Sequence, residues 1–333
     1  MNKTIGIFGP YHPPLGGISV HIARMESFFN KESIDYKIFN HGFVENKKVI
    51  ATNKKWFWYL KMLCIKRHNT FHFHQFFLFH FFFYFIFSIL RKEKIIVTIH
   101  SERILSYSKL KRAFVLFFIR KTKRLKLISV SQNLNNYLNE HGIKSSFLPA
   151  YVPPSSVEKK TVKSSKKMIL FSVWKLNQKL ANEIYNVPLA FEYLSRNKQK
   201  YKMIFMVGSK SDSDEKYLQK LICKYQIKNN ITILYDEDLV SYLNNCAFLL
   251  RPNLSDGYGV SIQEALDLGV PAVASDVCAR PKGTVVFKNN DFEDLSSKIE
   301  YIENTSLKKI LQEKESLDYH LQLIEIYKTI INT

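Results

Sequence analysis

The feature that most constrains this chain is a series of short apolar runs rich in β-branched residues. They occupy 3–8, 95–99, 125–130, 168–173, 203–207, 231–234, 247–250 and 270–274, each bounded by polar residues, Gly or Pro. A strand with one face in water alternates apolar and polar side chains. Strands that are apolar almost throughout are buried on both faces, as in a parallel sheet covered by helices. Helical periodicity lies between the runs; in 18–30, for example, apolar residues fall at Ile18, Ile22, Met25, Phe28 and Phe29. Parallel neighbours need a crossover connection, so the repeated strand–loop–helix pattern predicts doubly wound α/β units.

A chain of 333 residues has room for two such units at roughly 100–200 residues per domain. The boundary is readable at Pro149-Ala150-Tyr151-Val152-Pro153-Pro154, followed by a polar, charged stretch before the strand at 168. This places a linker at about 150–166, a first domain over 1–154 and a second over 155–310. Two such Rossmann-like domains are expected to face each other across a ligand-binding cleft. Cys64, Cys223, Cys246 and Cys278 form no CxxC pair and no Cys/His cluster of zinc spacing, which fits unpaired thiols in a reducing compartment. The start of the chain lacks a basic region followed by a long apolar one, so a cytoplasmic location is expected.

Charge is divided unevenly. Residues 1–150 hold 24 Lys and Arg against 7 Asp and Glu, a net of +17, whereas the remainder holds 25 against 22, a net of +3. A cationic first half calls for an anionic partner: nucleic acid, anionic lipid or a phosphate-bearing substrate. Two segments bear on this. The Phe-rich stretch 71–90 approaches the ~20 residues of a membrane span, but His72, His74, Gln75 and His80 interrupt it. It reads as a strand ending near His74 and then a buried or interfacial helix. Segment 103–126 has nine Lys and Arg and no acid around an apolar centre. It can either lie on an anionic membrane surface or form a solvated helix with its apolar face in the core.

The stretch that carries chemistry is Arg251-Pro252-Asn253-Leu254-Ser255-Asp256-Gly257-Tyr258-Gly259-Val260-Ser261-Ile262-Gln263-Glu264-Ala265-Leu266-Asp267-Leu268-Gly269-Val270-Pro271. A strand ends at Arg251-Pro252. Two glycines then let backbone N–H groups approach a ligand, and a helix starts near Val260 with its positive end at that loop. Asp256 and Glu264 bracket the loop and the first turns of the helix. Carboxylates accept from hydroxyls and a helix end receives negative charge, so the pattern suits a polyhydroxylated, phosphate-bearing ligand.

This stretch resembles the E-x7-E motif of family 4 glycosyltransferases of the GT-B fold, with Asp256 in place of the usual first Glu and Glu264 at the second position. The resemblance implies that Asp256 and the backbone of Gly257, Tyr258, Gly259 and Val260 contact the donor sugar, and that Glu264 binds the ribose. Further matches follow along the chain. Pro13-Pro14-Leu15-Gly16-Gly17 resembles the family's N-terminal glycine loop, which implies contacts from Gly16 and Gly17 to the donor phosphates. Val97-Thr98-Ile99-His100-Ser101 places His100 where the family has a histidine near the reacting sugar; His72 and His74 resemble an earlier H-x-H, for which a core role is the alternative. His21 reads as a packing or capping residue. Lys175 and Lys179, in Phe171-Ser172-Val173-Trp174-Lys175-Leu176-Asn177-Gln178-Lys179, stand where the family has an Arg and a Lys on the donor pyrophosphate. The resemblance also implies a C-terminal helix, over about 311–330, that crosses back to the first domain.

The function implied is retaining transfer of a sugar from a nucleotide-sugar donor to a cell-surface polysaccharide or lipid-linked oligosaccharide. It would act at the cytoplasmic face of a membrane, with no cofactor, no metal and no nucleic-acid partner. Asp212-Ser213-Asp214 reads as a solvated turn rather than a metal site. The alternatives are a nucleotide-sugar epimerase on the same fold, a non-catalytic basic protein binding nucleic acid or membrane, and an inactive donor-binding subunit.

Overall fold

The computed structural model describes residues 4–11, 17–40, 49–51, 70–74, 78–154, 159–162, 164–209, 212–314 and 318–332. The chain divides into two compact units. One takes in Gly17–Ser155 with the strand before it and Asp318–Thr333, and the other covers Ser156–Leu317.

The first unit is built on strands β1 (Thr4–Phe8), β2 (Asp35–Asn40), β3 (Val49–Ala51), β4 (Thr70–Phe73), β5 (Lys94–Ile99), β6 (Leu125–Ser129) and β7 (Ser145–Phe147). Its helices are α1 (Gly17–Lys31), α2 (His80–Leu90), α3 (Lys109–Lys121) and α4 (Gln132–Glu140). The second unit carries β8 (Lys167–Lys175), β9 (Tyr201–Ser209), β10 (Ile231–Tyr235), β11 (Phe248–Arg251), β12 (Ala272–Ser275) and β13 (Val285–Phe287). Its helices are α5 (Gln178–Glu183), α6 (Val187–Arg196), α7 (Asp212–Tyr225), α8 (Val240–Leu243), α9 (Val260–Asp267), α10 (Phe292–Asn304) and α11 (Leu307–Ile310). The last helix, α12 (Tyr319–Asn332), belongs to the first unit.

Among the described residues every strand pairing is parallel. The sheets run β3-β2-β1-β4-β5-β6-β7 and β10-β9-β8-β11-β12-β13. Chain order reverses once in each, between β1 and β4 and between β8 and β11. At such a reversal the crossovers diverge, and the carboxyl ends of the two strands are where α/β sheets bind ligands.

Most of the apolar runs became strands buried on both faces; Ile5, Ile7, Phe8, Ile95, Ile96 and Val97 are all at most 1% exposed, whereas edge strand β10 is only half-buried. Strands β2, β3, β7 and β13 escaped the apolar-run criterion: β2 carries Asp35 and Lys37 at exposed positions, and the other three span three residues each. The C-terminal helix begins at Tyr319 rather than at 311, after turns at 311–313. Asp212-Ser213-Asp214 is a further correction. These residues open α7 instead of forming a turn, and acids are favourable in a first helical turn.

Segment 71–90 folds as strand β4 and the 11-residue helix α2, and no helix among the described residues is long and apolar enough to cross a membrane. Helix α2 buries Phe81, Tyr84 and Phe87 in the core and exposes Phe79 before it, with Phe82, Ile89 and Leu90 along it. Helix α3 sends Val115, Leu116 and Ile119 into the same core, while Leu110 and Phe117 stand out among its basic residues. Not every charge beside it is free: Arg120 donates to the His141 carbonyl, and Arg124 to the carbonyls of Ser88 and Arg91.

Helix α12 completes the first unit. Leu323, Ile324 and Tyr327 pack with Ile7, Ile22, Met25 and Phe29, and the Tyr327 hydroxyl hydrogen-bonds His72 Nδ1 in the sheet. Tyr327→Ala should destabilise the first unit by about 3–5 kcal/mol, as for other buried aromatics, and Tyr327→Phe by about 1 kcal/mol through the hydroxyl alone. Urea unfolding of the two variants checks this; equal midpoints for Ala and wild type would contradict the packing.

Candidate active site

Each unit carries one polar constellation at its reversal point. In the first unit it is four imidazoles. His74 directly follows β4 and His100 directly follows β5; His72 lies within β4 and His21 on α1. His74 Nδ1 and His100 Nε2 are 2.9 Å apart, so one donates and the other accepts, which couples their tautomers. His72 Nε2 hydrogen-bonds Thr98 Oγ1 at 2.7 Å, with Tyr327 on its other nitrogen. His21 Nδ1 donates to the Ala150 carbonyl at 3.0 Å, fixing its tautomer. The ring centroids of His72 and His74 are 4.0 Å apart, and those of His74 and His100 are 5.2 Å apart.

Burial holds these groups neutral. It lowers His21 to about 4, and lowers His100 to about 3 with help from His21. His72 and His74 fall well below the usual histidine range through burial first and then the other imidazoles. His72 is fully buried, in line with a core role, whereas His100 is the member with partial exposure. Gly9 makes the close approach possible: a Cβ there would meet His74 Cβ at 3.0 Å and Ile22 Cδ1 at 2.6 Å. Gly17 is the first residue of α1; Gly16 lies outside the described residues.

In the second unit β11 ends at Arg251, a loop follows, and α9 starts at Val260. Gly259 caps α9 with φ of +80°, a conformation open to glycine, and a Cβ there would also crowd Ile262. Asp256 is the hub of the loop. Its Oδ2 accepts from Arg251 Nε at 2.5 Å and Arg280 Nη1 at 2.6 Å; its Oδ1 accepts from Arg251 Nη2 at 2.7 Å and the Gly257 N–H at 2.9 Å. Arg251 also donates to Ser261 Oγ on α9, and Arg280 to the carbonyl and hydroxyl of Ser275. Burial alone would raise the Asp256 carboxyl, but Arg251 and then Arg280 hold it down at about 2.

Glu264 sits in α9, 7% exposed. Tyr258 donates to Gln263 Oε1, which orders the loop against the helix. Lys175 is the last residue of β8 and is exposed. Lys179 lies in the first turn of α5, exposed and 3.9 Å from Glu183. Asn177 caps that helix through the Leu180 N–H.

Asp256, Gly257 and Gly259 are therefore brought together, with Val260 and Glu264 on the adjoining helix, while Lys175 and Lys179 stand at the neighbouring strand end. Sequence reasoning missed the two guanidinium groups. Arg251 was visible at a strand end, but Arg280 comes 24 residues after Asp256, beyond the reach of any local pattern. Among the described residues no group of three or more His, Cys, Asp or Glu is placed to hold a metal ion.

The sign of the pH response of the first constellation follows from its burial. Unfolded histidines titrate near 6.5, whereas in the fold His21 stays neutral to about 4 and His100 to about 3, and His72 and His74 are also lowered. Between these values the unfolded chain binds more protons, so stability is full above ~6.5 and falls as pH drops. The melting temperature should decline from pH 7 to pH 5 by several degrees, measured by calorimetry. His74→Gln/His100→Gln should flatten that dependence; an unchanged slope in this double variant would contradict the neutral cluster.

Residues 156–316 match the family of glycosyl transferases group 1. Protein CapJ of Staphylococcus aureus is 27% identical over 176 residues, 46% of this chain, and the chain spans 39% of that protein's length. Among solved structures, sucrose-phosphate synthase from Thermosynechococcus elongatus superposes with a TM-score of 0.76 at 12% identity, over 99% of both chains. Anabaena HepE in complex with UDP-glucose superposes with a TM-score of 0.73 at 11% identity, over 98% of this chain and 99% of that one. Residues 156–316 thus resemble the glycosyl transferases group 1, in a chain whose two parallel sheets have the GT-B fold.

Proposed function

We propose that this chain is a retaining glycosyltransferase of the family 4 type, moving a sugar from a nucleotide-sugar donor to a polysaccharide or lipid-linked glycan. The observation that carries the reading is the Arg251–Glu264 strand–loop–helix at the reversal point of the second sheet, inside the group 1 domain. There a buried acid on α9, a glycine loop and the positive end of a helix are all within one short segment. HepE, which shares the fold, has been solved with UDP and with UDP-glucose, which supports a nucleotide sugar as the donor.

In this proposal Glu264 accepts from the ribose hydroxyls. Lys175, Lys179 and the glycine loops neutralise the diphosphate as it leaves. His100, kept neutral, donates or accepts a hydrogen bond at the reacting sugar without adding a charge. The leaving diphosphate takes the acceptor proton in a front-face displacement, so the protein supplies no covalent nucleophile; its contribution is alignment and charge stabilisation. The nucleotide sugar is a substrate, and the reaction as proposed needs neither cofactor nor metal.

The acceptor side of the proposal is an anionic membrane surface. Phe79, Phe82, Leu110 and Phe117 are exposed on α2 and α3 or directly beside them, near Lys109, Lys111, Lys121 and Lys123, a pairing of apolar and basic groups suited to an interface.

A thermal-shift panel of nucleoside diphosphates and nucleotide sugars tests the donor site, since a ligand that binds the folded state raises its stability by mass action. One nucleotide sugar should raise the melting temperature of wild type, and Glu264→Ala should reduce its affinity by about tenfold or more, as expected for losing charged hydrogen bonds. No shift with any of them would count against the transferase reading and turn attention to nucleic acid. Reversing Lys109, Lys111, Lys121 and Lys123 to Glu should abolish sedimentation with phosphatidylglycerol vesicles; unchanged binding would defeat the membrane proposal.

A further inference from the structure

We propose that Arg251, and not the carboxylate of Asp256, is the side chain that meets the donor sugar, with Asp256 and Arg280 acting as positioning residues that hold it. This rests on the transferase reading and departs from what the family resemblance implies for the first acid of the motif.

The argument is one of hydrogen-bonding capacity. An ionised carboxylate offers about four lone-pair sites. Asp256 fills four: two with Arg251, one with Arg280 and one with the Gly257 N–H. A sugar hydroxyl could bind the carboxylate only by displacing one of them. A guanidinium has five N–H donors, and Arg251 commits three, two to Asp256 and one to Ser261 Oγ at 3.1 Å. Two remain. Exposure separates the partners in the same way: the Arg251 side chain is 20% exposed, against 8% for Asp256 and 2% for Arg280. Within the cluster, the accessible polar group is Arg251.

The rest of the cluster fixes that guanidinium. Arg280 is anchored through Nε to the Ser275 carbonyl at 2.8 Å and through Nη2 to Ser275 Oγ at 3.2 Å. The Ser275 hydroxyl in turn holds the Asn253 carbonyl at the start of the loop. The glycine at 259 leaves room for Arg280, since a Cβ there would stand 3.3 Å from Nη1. Asp256 therefore sits between a rigid guanidinium and an accessible one. Its short side chain matters: a Glu at 256 would push the carboxylate one methylene further, into guanidinium groups already at hydrogen-bonding distance. The shorter acid and the two arginines form one set.

The test compares how much the sugar adds to binding. The nucleotide sugar identified in the thermal-shift panel and its parent nucleoside diphosphate are titrated by calorimetry into wild type, Arg251→Lys and Asp256→Glu. Lysine keeps the charge but loses the planar fork. Both variants should bind the nucleoside diphosphate as wild type does, which also shows that they fold, and should lose about tenfold of the extra affinity given by the sugar, the scale of a lost charged hydrogen bond. Arg251→Gln, which keeps two N–H donors, is the second variant if the lysine form fails to bind the nucleotide, with the same loss expected. If either Arg251→Lys or Asp256→Glu retains the full sugar contribution, the assignment is overturned. A wild type that binds no nucleotide sugar overturns the transferase reading instead, so the two failures are distinguishable.

Discussion

Everything of chemical interest in this chain depends on a rule of parallel sheets. Neighbouring strands must be joined by a crossover over one face, and where chain order reverses two crossovers leave in opposite directions. The first sheet reverses between β1 and β4, and the second between β8 and β11. His74, Lys175 and the Arg251–Gly259 loop therefore lie at the carboxyl ends of strands that flank these reversals. The long apolar strands supply the rigidity; Phe171, Met203, Phe205 and Leu250 beneath the second site are buried to within 1%.

The two constellations solve the problem of polar groups in a dry environment in opposite ways. The histidines give up charge. Four imidazoles whose neighbouring ring centroids lie 4.0 to 5.9 Å apart could not all be protonated, and they share hydrogen bonds as neutral groups with Thr98, Tyr327 and the Ala150 carbonyl. The Arg251–Asp256–Arg280 cluster keeps its charges and pairs them. Removing one member of such a set leaves the others buried and uncompensated, which costs more than the pair itself contributes. The first arrangement is indifferent to charge above the histidine range; the second is a fixed cationic frame with a carboxylate at its centre.

The alternation of apolar runs and helical stretches was enough to read the two parallel sheets, because strands buried on both faces leave an unbroken signature. Strands β3, β7 and β13, of three residues each, are too short for periodicity to register. The glycine loop and α9 were legible because Gly257, Gly259 and the helix that follows are contiguous. The partners of Asp256 were not. Arg280 reaches it from beyond β12, and only the parallel pairing of β11 with β12 brings the ends of those strands together. The tautomer coupling of His74 and His100 was likewise hidden, since it requires β4 and β5 to be neighbours in register.

The placement of α12 has a consequence for how the chain is made. Residues 319–332 leave the ribosome only after the Ser156–Leu317 body of the second unit. Domains generally fold as units during synthesis, so the second sheet can close while the first still lacks Leu323, Ile324 and Tyr327. Until then Ile7, Ile22 and Phe29 have no cover from that side, and His72 lacks its tyrosine partner. The N-terminal unit, although translated first, is the last to be completed.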